Sequence, residues 1–259
     1  MKNALKEKLI KSQKPIGTFF ELGSPSVAEA LGYTGLDFIV LDNEHGPFEA
    51  ESSRDFARAA EAAGLTAIAR IREISRSAIL KLLDVGVQGL IIPDIHTAEQ
   101  VQKIIEYAKY SPIGKRGFCP SRKDGWGFGA VGQMSVPDQM AYWNEAILVL
   151  PQCETVDALE CIEEIVSLEG VDGIFIGPFD LSISMGIPGQ FDHPDFIAAL
   201  ERIQTACKNT KKFCMIFAGT PAAVAARFRQ GYDAVAYSMD ASVLISAFKH
   251  DISVIKQDM

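Results

Sequence analysis

A few polar residues stand just past apolar runs, where packing gives them no role. Asp42 and His45 follow the run 37–41, Arg70 closes 66–70, Glu154 comes after 147–152, and Asp180 comes after 173–176. Glu154 and Asp180 follow consecutive runs. Adjacent carboxylates repel unless a cation lies between them. A hard divalent ion such as Mg²⁺ or Mn²⁺ takes oxygen ligands and keeps positions for water and substrate, so this pair with Gln152 alongside reads as a partial metal shell. The competing reading of either acid alone is a first-turn helix cap. Arg70 offers forked donors to an anionic oxygen, or else a structural ion pair with a rim carboxylate. His45, three residues after Asp42, makes a base and its orienter; its alternative is a solvent-facing loop histidine.

The elements that must carry these groups are regular. Eight short apolar or β-branched runs, 15–20, 37–41, 66–70, 89–92, 147–152, 173–176, 213–217 and 234–237, read as parallel strands buried on both faces. Amphipathic segments 52–63, 76–83, 97–107, 156–167, 194–206 and 221–230 lie between them, with Ser52 and Thr97 as caps and Gly64, Gly86 and Gly231 as terminators. Strict βα alternation through eight strands predicts a (β/α)₈ barrel. A doubly wound open sheet is the alternative, weakened because no glycine-rich dinucleotide fingerprint follows the first strand.

Barrel chemistry sits at the carboxyl ends of strands, which is where the five residues fall. The excursion 111–144 follows a helix and is expected to hang from the opposite end, so Arg122, Lys123 and Trp126 carry little weight. The segment 180–192 follows a strand and belongs to the catalytic face. None of the fifteen lysines lies in the carboxyl half of a predicted strand, which argues against Schiff-base chemistry. There is no GxSxG elbow. Strand alternation turns Cys153 toward the helix layer. His96, beside the turn and cap residues Asp94 and Thr97, reads as structural; His193 is left open. Phosphate-binding candidates after strands seven and eight, 218–220 and 238–240, are weak.

Composition narrows the classes further. A 259-residue chain that is 48% apolar can bury a large core, and it is read as one domain over 1–259. Net charge is −8 with scattered basic residues, against a nucleic-acid surface. Five widely spaced cysteines without a CxxC pair suggest reduced thiols and a cytoplasmic location. The amino-terminal segment lacks the apolar core of a signal peptide, and no run approaches a membrane span.

The segments LDNEHGP, AIAR, LLDVGVQGLIIP, LVLPQCET and EGVDGIFIGPFDLS occur in this order, and together they resemble the HpcH/HpaI aldolases. These are metal-dependent class II pyruvate aldolases related to the citrate lyase β chain and to phosphoenolpyruvate/pyruvate-type TIM barrels. The resemblance spans about Gly17 to Leu244. It implies cleavage of a 4-hydroxy-2-keto acid, such as a 2-keto-3-deoxy sugar acid, to pyruvate and an aldehyde through a stabilised enolate. It further implies Glu154 and Asp180 as ligands of Mg²⁺, Mn²⁺ or Co²⁺, and Gln152 beside the keto acid. Arg70 would face the developing enolate oxygen, with His45 and Asp42 handling the proton through a metal-bound water. Backbone amides near Gly177, Phe179 and Asp180 would hold the pyruvate carboxylate. Similar proteins form hexamers, trimers of dimers that exchange the last helix, here about 241–255, and Asp84 matches a position near a subunit boundary. Cys153 and the segment RKDGWGFGAVG depart from the pattern. The aldehyde is left open among neutral sugar-derived, uronate-like and succinic semialdehydes, with selection expected around Phe20, Glu21, Ala218 and 122–132. The alternatives are an acyl-CoA lyase, which the acidic composition disfavours, and a barrel that binds a keto acid without turnover.

Overall fold

The computed structural model describes residues 3–257. Eight parallel strands close into a barrel in sequence order: β1 Ile16–Phe20, β2 Phe38–Asp42, β3 Thr66–Arg70, β4 Gly89–Ile92, β5 Leu148–Cys153, β6 Gly173–Ile176, β7 Phe213–Ala218 and β8 Ala234–Met239. The doubly wound alternative is thereby set aside. Twelve α-helices are described: α1 Ala4–Ile10, α2 Pro25–Leu31, α3 Ala50–Ala62, α4 Arg76–Asp84, α5 Ala98–Ala108, α6 Val136–Ala146, α7 Val156–Glu160, α8 Ile162–Ser167, α9 Pro178–Ser184, α10 Pro194–Thr210, α11 Pro221–Arg229 and α12 Asp240–Gln257. Among the described residues no helix is long and apolar enough to cross a membrane.

Strand alternation sorts the core into two layers. Phe19, Phe38, Val40, Ile68, Ile91, Leu148, Leu150, Phe175 and Met215 point inward and fill the barrel, while the intervening residues pack against the helices. Gly17 is inward too, because a Cβ there would stand 2.4 Å from the Phe38 ring. The sequence reading did not place a helix at 4–10. Leu5 and Leu9 of α1 join the inner layer and stopper its amino-terminal end, each burial worth about 1.5–3 kcal/mol. Below them Asn3 Nδ2 donates to the carbonyls of Gln88 (2.8 Å) and Ala146 (2.7 Å), which ties α1 to the barrel base.

Most helix signals hold. Thr97 caps α5 by accepting from Gln100 N–H at 3.3 Å, and Gly64, Gly86 and Gly231 take positive φ just past α3, α4 and α11. Ser52 is corrected: α3 begins two residues earlier with Glu49 as its cap, and Ser52 Oγ accepts from the Glu49 N–H at 3.2 Å as the distal half of a capping box. The predicted helix 156–167 is broken at Cys161, whose ψ of 21° departs from helical geometry. The excursion 111–144 contains a 3₁₀ turn, Arg122–Asp124, and α6. It lies across the outer face of α3 and α4, with Arg122 donating to Val85 O (3.0 Å) and pairing with Glu61 (2.5 Å). It therefore does not reach the carboxyl end of its own barrel, as the sequence reading expected of Arg122, Lys123 and Trp126.

Helix α12 is the exception to the close packing elsewhere. Val243, Leu244, Ile245, Phe248, Ile252 and Ile255 are exposed along it, and only Asp240 at its start is buried.

Candidate active site at the carboxyl ends of the strands

Continuing the inward register past the apolar layers leads straight to the polar one. Two residues beyond Val40 is Asp42, two beyond Ile68 is Arg70, and two beyond Leu150 is Gln152, followed two later by Glu154. Asp42 and Arg70 are register partners across β2 and β3. Arg70 Nε and Nη2 donate to Asp42 Oδ1 and Oδ2 at 3.0 and 2.5 Å, and Nη1 meets Glu44 Oε2 at 3.1 Å. Burial opposes the guanidinium charge, yet Asp42 and Glu44 hold its pKa above the ordinary arginine value. The same cation lies 4.9 Å from the Phe19 ring centroid, so its plane is fixed from below as well.

The pairing of His45 with Asp42 is corrected. Asp42 is fully buried, its carboxylate is committed to Arg70, and its Oδ1 accepts the backbone N–H of Glu44 (3.1 Å) and of His45 (3.2 Å). Its side chain thus shapes the NEHG turn instead of holding the imidazole. The ring itself is 69% exposed, with Glu44 Oε2 at 3.9 Å as its carboxylate neighbour. That same Oε2 pairs with Arg70, so Glu44, to which the sequence reading gave no role, is a second carboxylate on the guanidinium and lies beyond hydrogen-bond distance of the imidazole; its position inside the DNEH motif was the available signal.

Glu154 is buried beside Gln152. Its Oε1 accepts Asp94 N–H at 2.8 Å and its Oε2 accepts Gln152 Nε2. Burial, with Glu44 and Asp180 acting in the same direction against the Asp94 hydrogen bond, pushes its pKa up to about 7. Gln152 Oε1 is buried and, among the described residues, has no hydrogen-bond partner. A Cβ on Gly177 would stand 2.8 Å from both Gln152 Nε2 and Glu154 Oε2, so a side chain there would push both polar ends out of their present positions. Asp180 is exposed in the first turn of α9, next to Phe179, which is 52% exposed. Among the described residues no three of His, Cys, Asp or Glu cluster as a metal set, so Glu154 and Asp180 amount to two oxygen donors with the rest of a shell left to water or substrate. The donor chemistry fits a hard divalent ion, and the carboxylate raised to about 7 with an unpartnered amide oxygen beside it is a site short of positive charge.

The remaining candidates fall outside this constellation. Cys153 is buried in the outer layer, as alternation required, and all five cysteines are free. His96 sits between Asp157 (2.8 Å) and Asp94 (2.9 Å), a structural bridge. His193 caps α10, its Nδ1 accepting Asp195 N–H at 3.2 Å.

The family model described as HpcH/HpaI aldolase/citrate lyase matches residues 15–247. A 2-dehydro-3,6-dideoxy-6-sulfogluconate aldolase of Pseudomonas putida is 33% identical over 92% of this chain and 91% of its own. A 2-keto-3-deoxy-L-rhamnonate aldolase of Klebsiella pneumoniae is 30% identical over 100% of this chain and 95% of its own. Among solved structures, an HpcH/HpaI aldolase/citrate lyase family protein from Burkholderia cenocepacia superposes with a TM-score of 0.89 at 30% identity, over 98% of this chain and 99% of that one. With its motifs at the ends of the strands of a closed barrel, the chain belongs to the HpcH/HpaI aldolase/citrate lyase family.

Proposed function

We propose that the chain is a class II pyruvate aldolase that cleaves a 4-hydroxy-2-keto acid, of the 2-keto-3-deoxy sugar acid type, to pyruvate and an aldehyde, and that runs the reverse addition. The observation that carries this reading is Glu154, buried with its pKa pushed to about 7 beside an unpartnered Gln152 oxygen, opposite a guanidinium locked by Asp42. Glu154 and Asp180 would hold Mg²⁺, Mn²⁺ or Co²⁺, which supplies Lewis-acid stabilisation of the enolate oxygen. Arg70 adds fixed donors where negative charge develops, and Asp42 and Glu44 keep them aimed without reorganisation. His45, exposed at the mouth, takes the proton of the C4 hydroxyl in cleavage and moves a methyl proton of pyruvate in the reverse direction. Gln152 and Gly177 shape the floor for the keto acid, and the backbone at Phe179 and Asp180 faces its carboxylate. The apolar face of α12, exposed in one copy, is covered by a second copy in a hexamer built from dimers.

The test needs no knowledge of the aldehyde. Deuterium exchange into the methyl group of pyruvate, followed by proton NMR in D₂O, is expected with Mg²⁺ or Mn²⁺, and is lost with EDTA and in Glu154→Ala. Folded, metal-loaded protein that exchanges nothing defeats the proposal.

A further inference from the structure

The two sides of the barrel mouth differ in chemistry. An aromatic ladder climbs from under Arg70 to the rim on the β6 and β7 side. Phe19 contacts Phe217 edge-on at 5.9 Å, Phe217 contacts Phe179 at 6.1 Å, and Phe179 contacts Phe191 at 5.0 Å with the planes at 89°. Phe179 tops this ladder half-exposed, presenting ring to the opening. The β1 side is acidic. Glu21 lies two residues beyond the inward-facing Phe19, close enough to Asp42, Asp240, Arg70 and His45 to feel the charge of each. Its turn is rigid, because Asp240 Oδ1 and Oδ2 accept the N–H groups of Glu21 and Leu22 at 3.0 and 3.1 Å. Among the described residues no hydrogen bond or ion pair engages the Glu21 carboxylate itself, so its backbone is anchored while the carboxylate is left free to meet a ligand.

We propose that Glu21 and the Phe179–Phe217 pair select the aldehyde: they favour an uncharged, hydroxylated aldehyde and reject one bearing a second anionic group. This rests on the aldolase reading above and adds the substrate class to it. An aldehyde substituent leaving the reacting carbon toward the open rim passes between the rings and Glu21. Aromatic faces accept C–H surface, and a free carboxylate accepts hydroxyl donors. A carboxylate or sulfonate on the same substituent would face the free carboxylate of Glu21, with the buried charges of Asp42 and Asp240 behind it. The one guanidinium among them, Arg70, is already engaged by Asp42 and Glu44. Juxtaposed like charges are a strong means of exclusion.

The experiment compares aldol addition of pyruvate to glyceraldehyde and to succinic semialdehyde, using Mg²⁺-loaded full-length protein. We expect kcat/KM to favour glyceraldehyde by at least about tenfold. Glu21→Gln should narrow that ratio several-fold by improving succinic semialdehyde. Higher salt should narrow it in the wild type and not in Glu21→Gln, a response that a structural role for Glu21 would not give. Phe179→Ala should raise the KM for glyceraldehyde more than it lowers kcat. Equal use of the two aldehydes, a preference for the anionic one, or a ratio that Glu21→Gln leaves unmoved overturns the proposal. Pyruvate methyl exchange is measured alongside. Its absence in the wild type means that the aldolase reading has failed, whereas exchange without discrimination defeats the selection alone.

Discussion

At the base of the barrel Lys109 is enclosed by acceptors: the carbonyls of Asn144 (2.8 Å) and Ile147 (2.6 Å), and Asp172 Oδ2 at 3.0 Å. The same carboxylate accepts Val149 N–H at 2.9 Å and, through Oδ1, Lys6 Nζ at 2.8 Å. At the mouth, Glu154 is also buried but, among the described residues, has no cation in contact, Gln152 Oε1 has no hydrogen-bond partner, and His45 stands in solvent. Burial lowers the pKa of Lys109 and raises that of Glu154, but at the base Asp172 opposes the shift with charge of the opposite sign. Buried charge that is fully paired within the chain serves to lock elements together, here α1 and α5 onto β5 and β6. Buried charge left short of partners is reserved for something that comes and goes.

The sharpest way to break this contrast is at His45. If the mouth is catalytic, His45→Ala lowers the pyruvate exchange and cleavage rates by roughly 10² to 10⁴, while metal affinity, read by titration calorimetry, stays at the wild-type value. A variant that instead loses metal shows that the ligand assignment is wrong. The complementary change at the base is Asp172→Ala, which strands Lys109 and Lys6. It should cost about 3–5 kcal/mol in urea denaturation, the usual penalty for breaking a buried pair, and leave kcat per folded molecule intact. Loss of turnover in protein shown to be folded would mean that the two ends are not independent.

How much of this could be read from the chain follows the same division. Arg70, Gln152 and Glu154 were legible because period-two alternation carries an inward strand residue to the mouth, and a charge at the end of an apolar strand has no packing reason. The barrel itself was legible from the strict alternation of runs and helical spacing. Asp42 was found and its partner misjudged: sequence proximity favoured His45, but register across β2 and β3 places Arg70 beside it, and register is a tertiary fact. The seven-residue α1 is too short to announce itself as a helix, and it is stable because the open barrel base accepts Leu5 and Leu9. Asp172 and Lys109 carried no signal in the sequence, since nothing local shows that residues 63 apart converge. Glu21 was noted only as part of a selecting loop; extending the inward register one step beyond Phe19 was the signal for its orientation.

The last prediction turns the unpaired state of Glu154 into a pH dependence. Its pKa is raised to about 7, first by burial and then by Glu44 and Asp180, with the Asp94 N–H and Gln152 opposing, so the fold prefers the protonated acid. The sign follows from proton counts. Between the ordinary glutamate value of 4.5 and about 7 the folded state holds a proton that the unfolded chain has released. The associated stability is fully present below 4.5 and is lost as pH rises through about 7. In EDTA, urea denaturation should therefore show a loss on the order of 2–3 kcal/mol from this group between pH 4.5 and 7.5. Glu21 and Glu44, also raised, add to it in the same direction. Glu154→Gln should remove the Glu154 share. If Glu154 is a metal ligand, divalent metal should invert the dependence, because binding requires the carboxylate: below about pH 7 each ion would displace one proton, and the apparent affinity should fall by about tenfold per pH unit. If Glu154→Gln reproduces the wild-type pH profile in EDTA, Glu154 is already compensated in the folded chain, and the distinction between a satisfied base and an unsatisfied mouth fails at its central residue.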